Sequence, residues 1–259
     1  MRLQGKVAIV TGASRGLGQY VAEAYASEGA AVVVTARTEQ VKDERLPGTI
    51  HETADHIRAA GGRAIAVRCN VADVAECEAM VNRAIDEFGR IDILVNNAGV
   101  QPPGRITEIQ PRHWDLEFRV NVNGPFYCTR AVLETMLVQR SGAIINVSSV
   151  AADMVSLGRG GHYGVTKLAL EAMTRAFADD LSASGIAVNA LKPKGSIWTP
   201  GMRFSRIARG DEIPPDLPSP ADFVEAAIIL ATATPATFTG EAINDEDAIK
   251  RFGRGTSLG

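Results

Sequence analysis

The chain has 259 residues, of which 46% are hydrophobic and 22% are charged. These values are typical of globular proteins, so the sequence predicts a substantial core and excludes a largely disordered chain. The length suits one large α/β domain better than two small ones. Because the net charge is −3, we expect no general attraction to nucleic acid or to an anionic membrane surface.

The start of the chain runs directly into a short apolar strand, without the apolar core of a signal peptide. No later apolar stretch is long enough to span a bilayer, so we expect no membrane association and a cytoplasmic location. The three cysteines show no CxxC spacing, and the four histidines show no metal-ligand spacing. We therefore predict neither a disulfide framework nor a metal site.

Short β-branched runs alternate with helical patterns along the chain. In chain order we expect strands at 7–10, 31–35, 64–68, 91–95, 143–147 and 186–191, with a short strand after Gly240. The expected helices cover 16–28, 50–60, 74–88, 111–138, a segment that carries Tyr163, and 221–231. Continuously apolar strands are typical of a parallel sheet that is covered on both faces. The prediction is a single-domain α/β fold over residues 1–259, a doubly wound parallel sheet of the Rossmann type.

Two long connections interrupt this alternation, at 38–49 and at 195–220. The second follows a strand directly, and doubly wound sheets bind ligands at the carboxyl ends of their strands. We therefore predict that residues 195–220 form a substrate lid. Residues 245–259 are predicted to be a polar C-terminal tail.

A glycine-rich turn follows the first strand and opens the first helix. Gly12, Gly16 and Gly18 allow positive φ angles and a close approach of backbone N–H groups to a pyrophosphate. Their spacing differs from the usual dinucleotide pattern in its first interval. The turn predicts a dinucleotide site, and the alternative is a glycine-rich connection without a ligand.

The end of the second strand bears on the choice of cofactor. An acidic side chain there usually binds a ribose 2′-hydroxyl, whereas a 2′-phosphate requires cations. This chain has Arg37 followed by Thr38, with no carboxylate before Glu39, and a further cation, Arg15, lies in the glycine turn. The sequence favours NADP(H) over NAD(H). The alternative is that both arginines are solvated surface cations.

Tyr163 and Lys167 are four residues apart, so a helix would present both on one face. A cation near a phenol favours tyrosinate and brings the pKa of the Tyr toward neutral pH. Ser149, at the end of the preceding strand, is able to bind the same substrate oxygen. By themselves the two helical residues are equally consistent with a partly exposed Tyr beside a solvated Lys.

Taken together, these motifs resemble the classical short-chain dehydrogenase/reductase family from Lys6 to about Gly240. The residues that carry the resemblance are Thr11, Gly12, Gly16, Gly18, Asn96, Asn97, Ala98, Gly99, Asn121, Ser149, Tyr163 and Lys167. The resemblance implies an oxidoreductase that interconverts a carbonyl and an alcohol with a nicotinamide cofactor. It also implies a homodimer or homotetramer, formed through the helix that begins near Arg112 and the helix that carries Tyr163.

The resemblance implies a role for each catalytic residue. Tyr163 would exchange a proton with the substrate oxygen, and Ser149 would hydrogen-bond that oxygen. Lys167 would lower the pKa of Tyr163 and bind the nicotinamide ribose, and Asn121 would anchor a water that relays protons through Lys167. The implied cofactor contacts are Gly12, Ser14, Arg15, Gly16, Leu17, Gly18, Arg37, Thr38, Asn70, Val71, Asn97, Ala98, Gly99, Tyr163, Lys167, Pro193, Ile197 and Thr199.

The sequence departs from the family pattern in four ways. Asn70 replaces the usual acidic residue after the third strand, although an amide oxygen still accepts a hydrogen bond. One extra residue separates Ser149 from Tyr163, and an insertion follows Pro193. An acidic segment, 244–247, replaces the usual Asp-Gly-Gly near the C-terminus.

Three further points are left open by the sequence. His162, beside Tyr163, is able to line the substrate pocket, although such a residue more often faces away from its neighbour. The substrate itself cannot be deduced from the sequence. A non-catalytic NADP sensor on the same fold, or an interaction protein, is the alternative function, but neither would need the complete set of Asn121, Ser149, Tyr163 and Lys167.

Overall fold

The computed structural model of the chain describes residues 1–158, 160–209, 212 and 219–253. Seven parallel strands form one sheet with the order β3-β2-β1-β4-β5-β6-β7. The strands are β1 (Val7–Thr11), β2 (Ala31–Ala36), β3 (Arg63–Arg68), β4 (Ile93–Asn96), β5 (Gly142–Val147), β6 (Ile186–Lys192) and β7 (Ala242–Asn244). This sheet confirms the predicted doubly wound fold.

The helices cover both faces of the sheet. They are α1 (Gly16–Ser27), α2 (Ile50–Ala59), α3 (Val74–Phe88), α4 (Pro111–Phe118), α5 (Gly124–Gln139), α6 (Ala151–Met154), α7 (Gly161–Leu181), α8 (Pro200–Arg209), α9 (Ala221–Ala231) and α10 (Asp245–Phe252). One core layer joins the sheet to α1, α2, α9 and α10, and the other joins it to α3, α5 and α7. Among the described residues, none of these helices has the length and apolarity needed to cross a membrane.

The strand order reverses between β1 and β4, which are hydrogen-bonded neighbours although β2 and β3 lie between them in sequence. At such a reversal the following helices leave to opposite faces and open a crevice at the carboxyl ends of the strands. The glycine turn after β1, residues 97–100 after β4 and residues 148–150 after β5 all lie at this edge. The fold therefore brings together motifs that are far apart in sequence.

The single helix expected over 111–138 is interrupted by one π-helical turn, Arg119–Asn123, between α4 and α5. Pro125 has no N–H, so the carbonyl of Asn121 lacks its α-helical donor. π-helical turns in long helices are frequently found at functional sites. Here the turn contains Asn121, one of the predicted catalytic residues.

Within the predicted polar tail, 245–259, residues 245–252 form the helix α10. Asn244 caps this helix by accepting a hydrogen bond from Asp247 N. Three acidic residues lie in its first turn and two basic residues in its last, which complements the helix dipole. Phe252 at its end packs against Phe238 with ring centroids 4.9 Å apart. Residues 254–259 lie outside the described residues.

The predicted lid contains α8, which begins directly after Thr199 and ends at Arg209. Phe204 on this helix lies 4.9 Å from the Arg45 guanidinium carbon, measured to the ring centroid. The long connection at 38–49 therefore contacts the first half of the lid. Residues 210, 211 and 213–218 of the predicted lid lie outside the described residues.

Candidate active site

The glycine turn is held against the segment that follows β4. Gly12 has φ +67°, and a Cβ at this position would lie 2.8 Å from Ala98 Cα. Thr11 Oγ1 accepts hydrogen bonds from the backbone N of both Asn97 and Ala98, at 3.0 and 3.1 Å. Asn97 Nδ2 donates to Thr11 O at 2.8 Å and to Gly12 O at 3.2 Å. Asn97 and Ala98 thus position the turn itself.

The start of α1 has features that fit a dinucleotide phosphate. Its first turn contains no acidic residue, and no side chain caps its N-terminus, so its first N–H groups lack a protein side-chain acceptor. Arg15 Nε is buried and has no hydrogen-bond partner among the described residues. Ser14 is buried, and Leu17 packs on the core below the turn. The donors at this position therefore match a pyrophosphate.

Two arginines flank the turn, as the sequence predicts. Arg15 Nη2 donates a hydrogen bond to Gly48 O at 2.9 Å, which brings the connection 38–49 over the turn. Arg37 directly follows β2 and is exposed. The nearest carboxylate in sequence, Glu39, lies 3.8 Å from both Arg68 and His51. Asp43 and Glu52 are close enough to Arg15 to interact with its charge, and Thr38 O accepts a hydrogen bond from Ile50 N.

Asn70 lies after β3, in the position predicted for the adenine contact. Its Oδ1 accepts a hydrogen bond from Ala72 N at 3.3 Å, and its own backbone N donates to Glu76 at 2.8 Å. Val71, beside it, is buried, and a Cβ on Gly124 would lie 2.8 Å from Val71 Cγ2. The amide oxygen predicted to face adenine thus already accepts one local hydrogen bond.

Tyr163, Ser149 and Lys167 meet at the carboxyl end of β5. Ser149 Oγ accepts a hydrogen bond from Ala151 N at 3.2 Å, and the Ser149 hydroxyl is close enough to the Tyr163 hydroxyl to influence its pKa. Lys167 Nζ lies 5.5 Å from the centroid of the Tyr163 ring and donates to Val147 O at 2.7 Å. Helix α7 and the end of β5 together position all three side chains.

The protein environment changes the pKa values of both Tyr163 and Lys167. Burial raises the pKa of Tyr163 to about 12, the charge of Glu117 adds to the rise, and the nearby Ser149 hydroxyl opposes it. Burial lowers the pKa of Lys167 to about 8, while Glu117 opposes that change. Burial is thus the largest influence on the pKa of both residues.

Asn121 connects the π-helical turn to α7 and to the segment after β4. Its Oδ1 accepts from Val100 N at 2.8 Å, and its Nδ2 donates to Val100 O at 2.8 Å and to Thr166 Oγ1 at 3.1 Å. A Cβ on Gly99 would lie 3.4 Å from Asn121 Oδ1 and 3.7 Å from Lys167 Nζ. All four predicted catalytic residues therefore lie in one region.

A buried polar network supports the strand end from behind. Ser148 Oγ donates to Glu171 Oε1 at 2.7 Å, and Lys192 Nζ donates to the same oxygen at 3.2 Å and to Asp153 Oδ1 at 2.5 Å. This network links β5, α6, α7 and β6, and it fixes the residue next to Ser149. Sequence reasoning did not find it, because its members are separated by up to 44 positions in the chain.

The altered loop after Pro193 packs against the equally unusual C-terminal helix. Lys194 N donates to Asp245 Oδ1 at 2.9 Å, and Lys194 Nζ pairs with Glu246. Ile197 is buried, and a Cβ on Gly16 would lie 3.3 Å from Thr199 Cβ. Two of the departures from the family pattern are thus in direct contact, and the loop still brings Thr199 to the glycine turn.

His162 does not face away from its neighbours in the way that such residues usually do. Its Nδ1 lies 2.5 Å from Glu117 Oε2, and its Nε2 lies 3.1 Å from Gly104 O. Glu117 is completely buried, and the sequence analysis did not select it. The sequence did contain an indication of Glu117, because this residue precedes the predicted catalytic residue Asn121 by one helical turn. No group of three or more His, Cys, Asp or Glu residues in the described part of the chain is able to hold a metal ion.

Comparison with known proteins agrees with this arrangement. The short chain dehydrogenase family model matches residues 6–206. An uncharacterized oxidoreductase of Methylorubrum extorquens is 35% identical over 258 residues, which cover 96% of this chain and 99% of the relative. A 3-oxoacyl-(acyl-carrier-protein) reductase of Synechocystis is 34% identical over 261 residues, with coverage of 96% and 99%. The crystal structure of a short-chain dehydrogenase/reductase from Burkholderia xenovorans has a TM-score of 0.80 at 32% identity, covering 94% of this chain and 95% of its own. The chain therefore belongs to the short-chain dehydrogenase/reductase family.

Proposed function

We propose that the protein is an NADP(H)-dependent oxidoreductase that interconverts a ketone or aldehyde and the corresponding alcohol, with Tyr163 as the acid and base. Its family makes it an oxidoreductase that acts on the CH–OH/C=O couple with a nicotinamide cofactor. The observation that carries the proposal is that Tyr163, Ser149 and Lys167 lie together at the carboxyl end of β5, on the sheet edge that also holds the glycine turn.

In the direction of reduction, Ser149 donates a hydrogen bond to the carbonyl oxygen and makes its carbon more electrophilic. The nicotinamide, when bound, supplies the hydride. Tyr163 gives its proton to the same oxygen, so that one hydride and one proton convert C=O to CH–OH. A pKa of about 12 keeps Tyr163 protonated at neutral pH, which suits this role. Lys167 and the Asn121 region then return a proton to Tyr163.

The preference for NADP(H) rests on charge at the glycine turn. Arg37 directly follows β2, Arg15 lies in the glycine turn, and Glu39 lies 3.8 Å from both Arg68 and His51. A 2′-phosphate gains charge-assisted hydrogen bonds from guanidinium groups, whereas a 2′-hydroxyl gains much less. We therefore expect NADPH to bind more tightly than NADH.

Association into a homodimer or homotetramer is part of the proposal. Several apolar side chains are at least two-fifths exposed on α4, α5 and α7: Leu116, Phe126, Leu137, Val138 and Leu168. Exposed apolar groups on neighbouring helices are typical of interaction surfaces. We further propose a cytoplasmic enzyme in one domain, with residues 195–220 closing over a small-molecule substrate.

The proposal is tested with Tyr163→Phe, which removes one oxygen and leaves the ring in place. We expect NADPH affinity, measured by fluorescence titration, to stay within about threefold of wild type. Turnover should fall by at least about 100-fold, because general acid catalysis contributes about that much. The carbonyl panel should begin with 3-oxoacyl thioesters, since the Synechocystis relative carries that name, and should include simple ketones and aldehydes.

The same measurements distinguish the proposed enzyme from the alternative function, a non-catalytic NADP sensor. A non-catalytic NADP sensor would bind NADPH and reduce no compound in the panel, even as wild type. Undiminished turnover by Tyr163→Phe would contradict the mechanism, while leaving the family and the fold unchanged.

A further inference from the structure

Glu117 on α4 and His162 on α7 form a buried pair beside the proposed catalytic residues. Glu117 has no exposed surface, and the His162 side chain is 8% exposed. His162 Nδ1 lies 2.5 Å from Glu117 Oε2, and His162 Nε2 lies 3.1 Å from Gly104 O. The imidazole thus joins α4, α7 and the connection between β4 and α4.

The contacts determine how many protons the pair holds. A carbonyl oxygen only accepts hydrogen bonds, so the Gly104 contact requires a proton on Nε2. The contact between Nδ1 and Oε2 requires one further proton, which belongs either to the imidazolium or to the carboxylic acid. In both cases the pair is neutral as a whole. Loss of that one proton leaves a negative charge that is buried in the protein.

The position of the pair follows from helical spacing. Glu117 lies one turn before Asn121, and His162 lies one turn before Thr166. Asn121 Nδ2 donates to Thr166 Oγ1, so two parallel contacts join the helices one turn apart. Tyr163 and Lys167 directly follow His162 and Thr166 in sequence. Any change at the Glu117 contact therefore acts on the helical turn that positions Tyr163.

The second oxygen of Glu117 is unusual. Oε1 is buried and has no hydrogen-bond partner among the described residues. The titratable groups that interact electrostatically with Glu117 are His162, Tyr163 and Lys167, all on α7. Burial raises the pKa of Glu117, and the carboxylate in turn raises the pKa of both Tyr163 and Lys167. The pair is thus electrostatically coupled to both proposed catalytic groups.

We propose that Glu117 and His162 act as one positioning unit, which stores a single proton at the Nδ1–Oε2 contact and thereby controls the charge beside Tyr163. This inference rests on the proposed acid and base role of Tyr163. The two residues do not touch the reacting atoms. They hold α7 against α4 and determine whether the catalytic Tyr faces a neutral pair or a buried anion.

Glu117→Gln is the most informative variant, because it preserves the hydrogen bonds and removes the exchangeable proton. The Gln amide N–H donates to His162 Nδ1, and His162 Nε2 still donates to Gly104 O. Since the buried anion cannot form, the pKa of Tyr163 should fall by about 0.5–1 pH unit. Glu78→Gln, at an exposed position of α3, is the matched control and should leave this pKa unchanged.

The first readout is independent of turnover. With 13Cζ-labelled tyrosine, NMR follows the ionisation of the four tyrosines, and Tyr163→Phe identifies the Tyr163 signal. The Glu117→Gln titration should begin at lower pH than that of wild type. The Glu117→Gln/His162→Gln double variant should match Glu117→Gln, because the two residues act as one unit. Identical Tyr163 titrations in wild type and Glu117→Gln would overturn the inference.

The second readout is the pH profile of kcat/KM for carbonyl reduction, which requires protonated Tyr163. Its alkaline limb should move to lower pH in Glu117→Gln by about the same interval. A uniform loss of rate without a shift of the limb would mean a purely structural role and would contradict the inference. If Tyr163→Phe keeps full turnover, the proposed function fails, whereas the NMR titration still decides the inference.

Discussion

Substitution of Gly18 by Ala tests how closely the glycine turn and the Asn97 segment are packed. A Cβ at this position would lie 2.4 Å from Asn97 Nδ2 and 2.5 Å from Gly12 O, about 1 Å closer than van der Waals contact allows. Gly12 O belongs to the backbone of the turn, so the methyl group has to displace both the Asn97 amide and the turn itself. That displacement breaks the hydrogen bonds from Asn97 Nδ2 to Thr11 O and Gly12 O.

The expected loss follows from these contacts. Overpacking costs about 1–3 kcal/mol, and each hydrogen bond contributes about 1 kcal/mol. Ala gains about 1 kcal/mol over Gly in a helix, which offsets part of that cost. We therefore expect the free energy of unfolding to fall by about 3 kcal/mol, measured by urea denaturation. NADPH affinity should fall at least about tenfold, because the phosphate-binding turn moves.

Gly201→Ala is the control, since a Cβ at Gly201 in α8 would meet no atom within 4 Å. This variant should be as stable as wild type or slightly more stable. If Gly18→Ala matched wild type in both unfolding free energy and NADPH affinity, the reasoning about close packing at the turn would be refuted.

Three further predictions follow from other parts of the structure. In steady-state kinetics, Arg15→Ala should lower kcat/KM with NADPH about 10–100-fold, but with NADH by less than about threefold. Equal losses with the two cofactors would contradict a contact between Arg15 and the 2′-phosphate. Burial alone would raise the pKa of Asp92, but hydrogen bonds from Arg90 and Val7 N, with the charge of Lys6, hold it below its usual value. Its contribution to stability is therefore fully present above the unfolded pKa of about 4, and it is lost as the pH falls from there through the lower pKa of the folded state. Asp92→Asn should reduce the loss of unfolding free energy at acid pH, measured by urea titrations at a series of pH values. The exposed control Asp86→Asn should leave that loss unchanged. Lys192→Met should lower the free energy of unfolding by about 3 kcal/mol, because Glu171 becomes a buried carboxylate without its cation. The double change with Glu171→Met should recover part of that loss, and failure to do so would argue against the pairing.

Much of the fold was predictable because its signals are local. Continuously apolar strands, such as Val7–Thr11, and the glycine turn that follows them specify a parallel sheet and its crevice without long-range information. The assembly of Tyr163, Ser149, Asn121 and Lys167 at one strand edge follows from that topology together with the family motifs. The sheet order and the relatives confirm the predicted fold and family.

What the sequence did not reveal depends on contacts between distant residues. The pair of Glu117 and His162 joins positions 45 apart, and each residue alone resembles an ordinary helical polar residue. Lys194 and Asp245 are 51 positions apart, so the folding of the apparent tail into α10 depends on a loop that was itself unusual. The π-helical turn at Asn121 had a local cause in Pro125, but its geometry depends on Val100 and Thr166.

The hydrogen-bond acceptor of the Lys167 ammonium is a further feature that the sequence could not predict. Helical spacing places Lys167 and Tyr163 on one face, but it does not determine which acceptor the ammonium selects. Val147 O, at the end of β5, takes that hydrogen bond, and burial then dominates the pKa of both residues. With its pKa raised to about 12, the Tyr163 hydroxyl is protonated at neutral pH.

The central claim is that this site transfers a hydride to a carbonyl carbon while Tyr163 protonates the oxygen. NADPH deuterated at the transferring position of C4, incubated with the wild-type protein and the carbonyl panel, tests it most directly. The account predicts an alcohol with one deuterium on the former carbonyl carbon, detected by mass spectrometry, and at most about one hundredth of that yield with Tyr163→Phe. If NADPH binds to the wild-type protein and no panel compound acquires deuterium, the claim is contradicted.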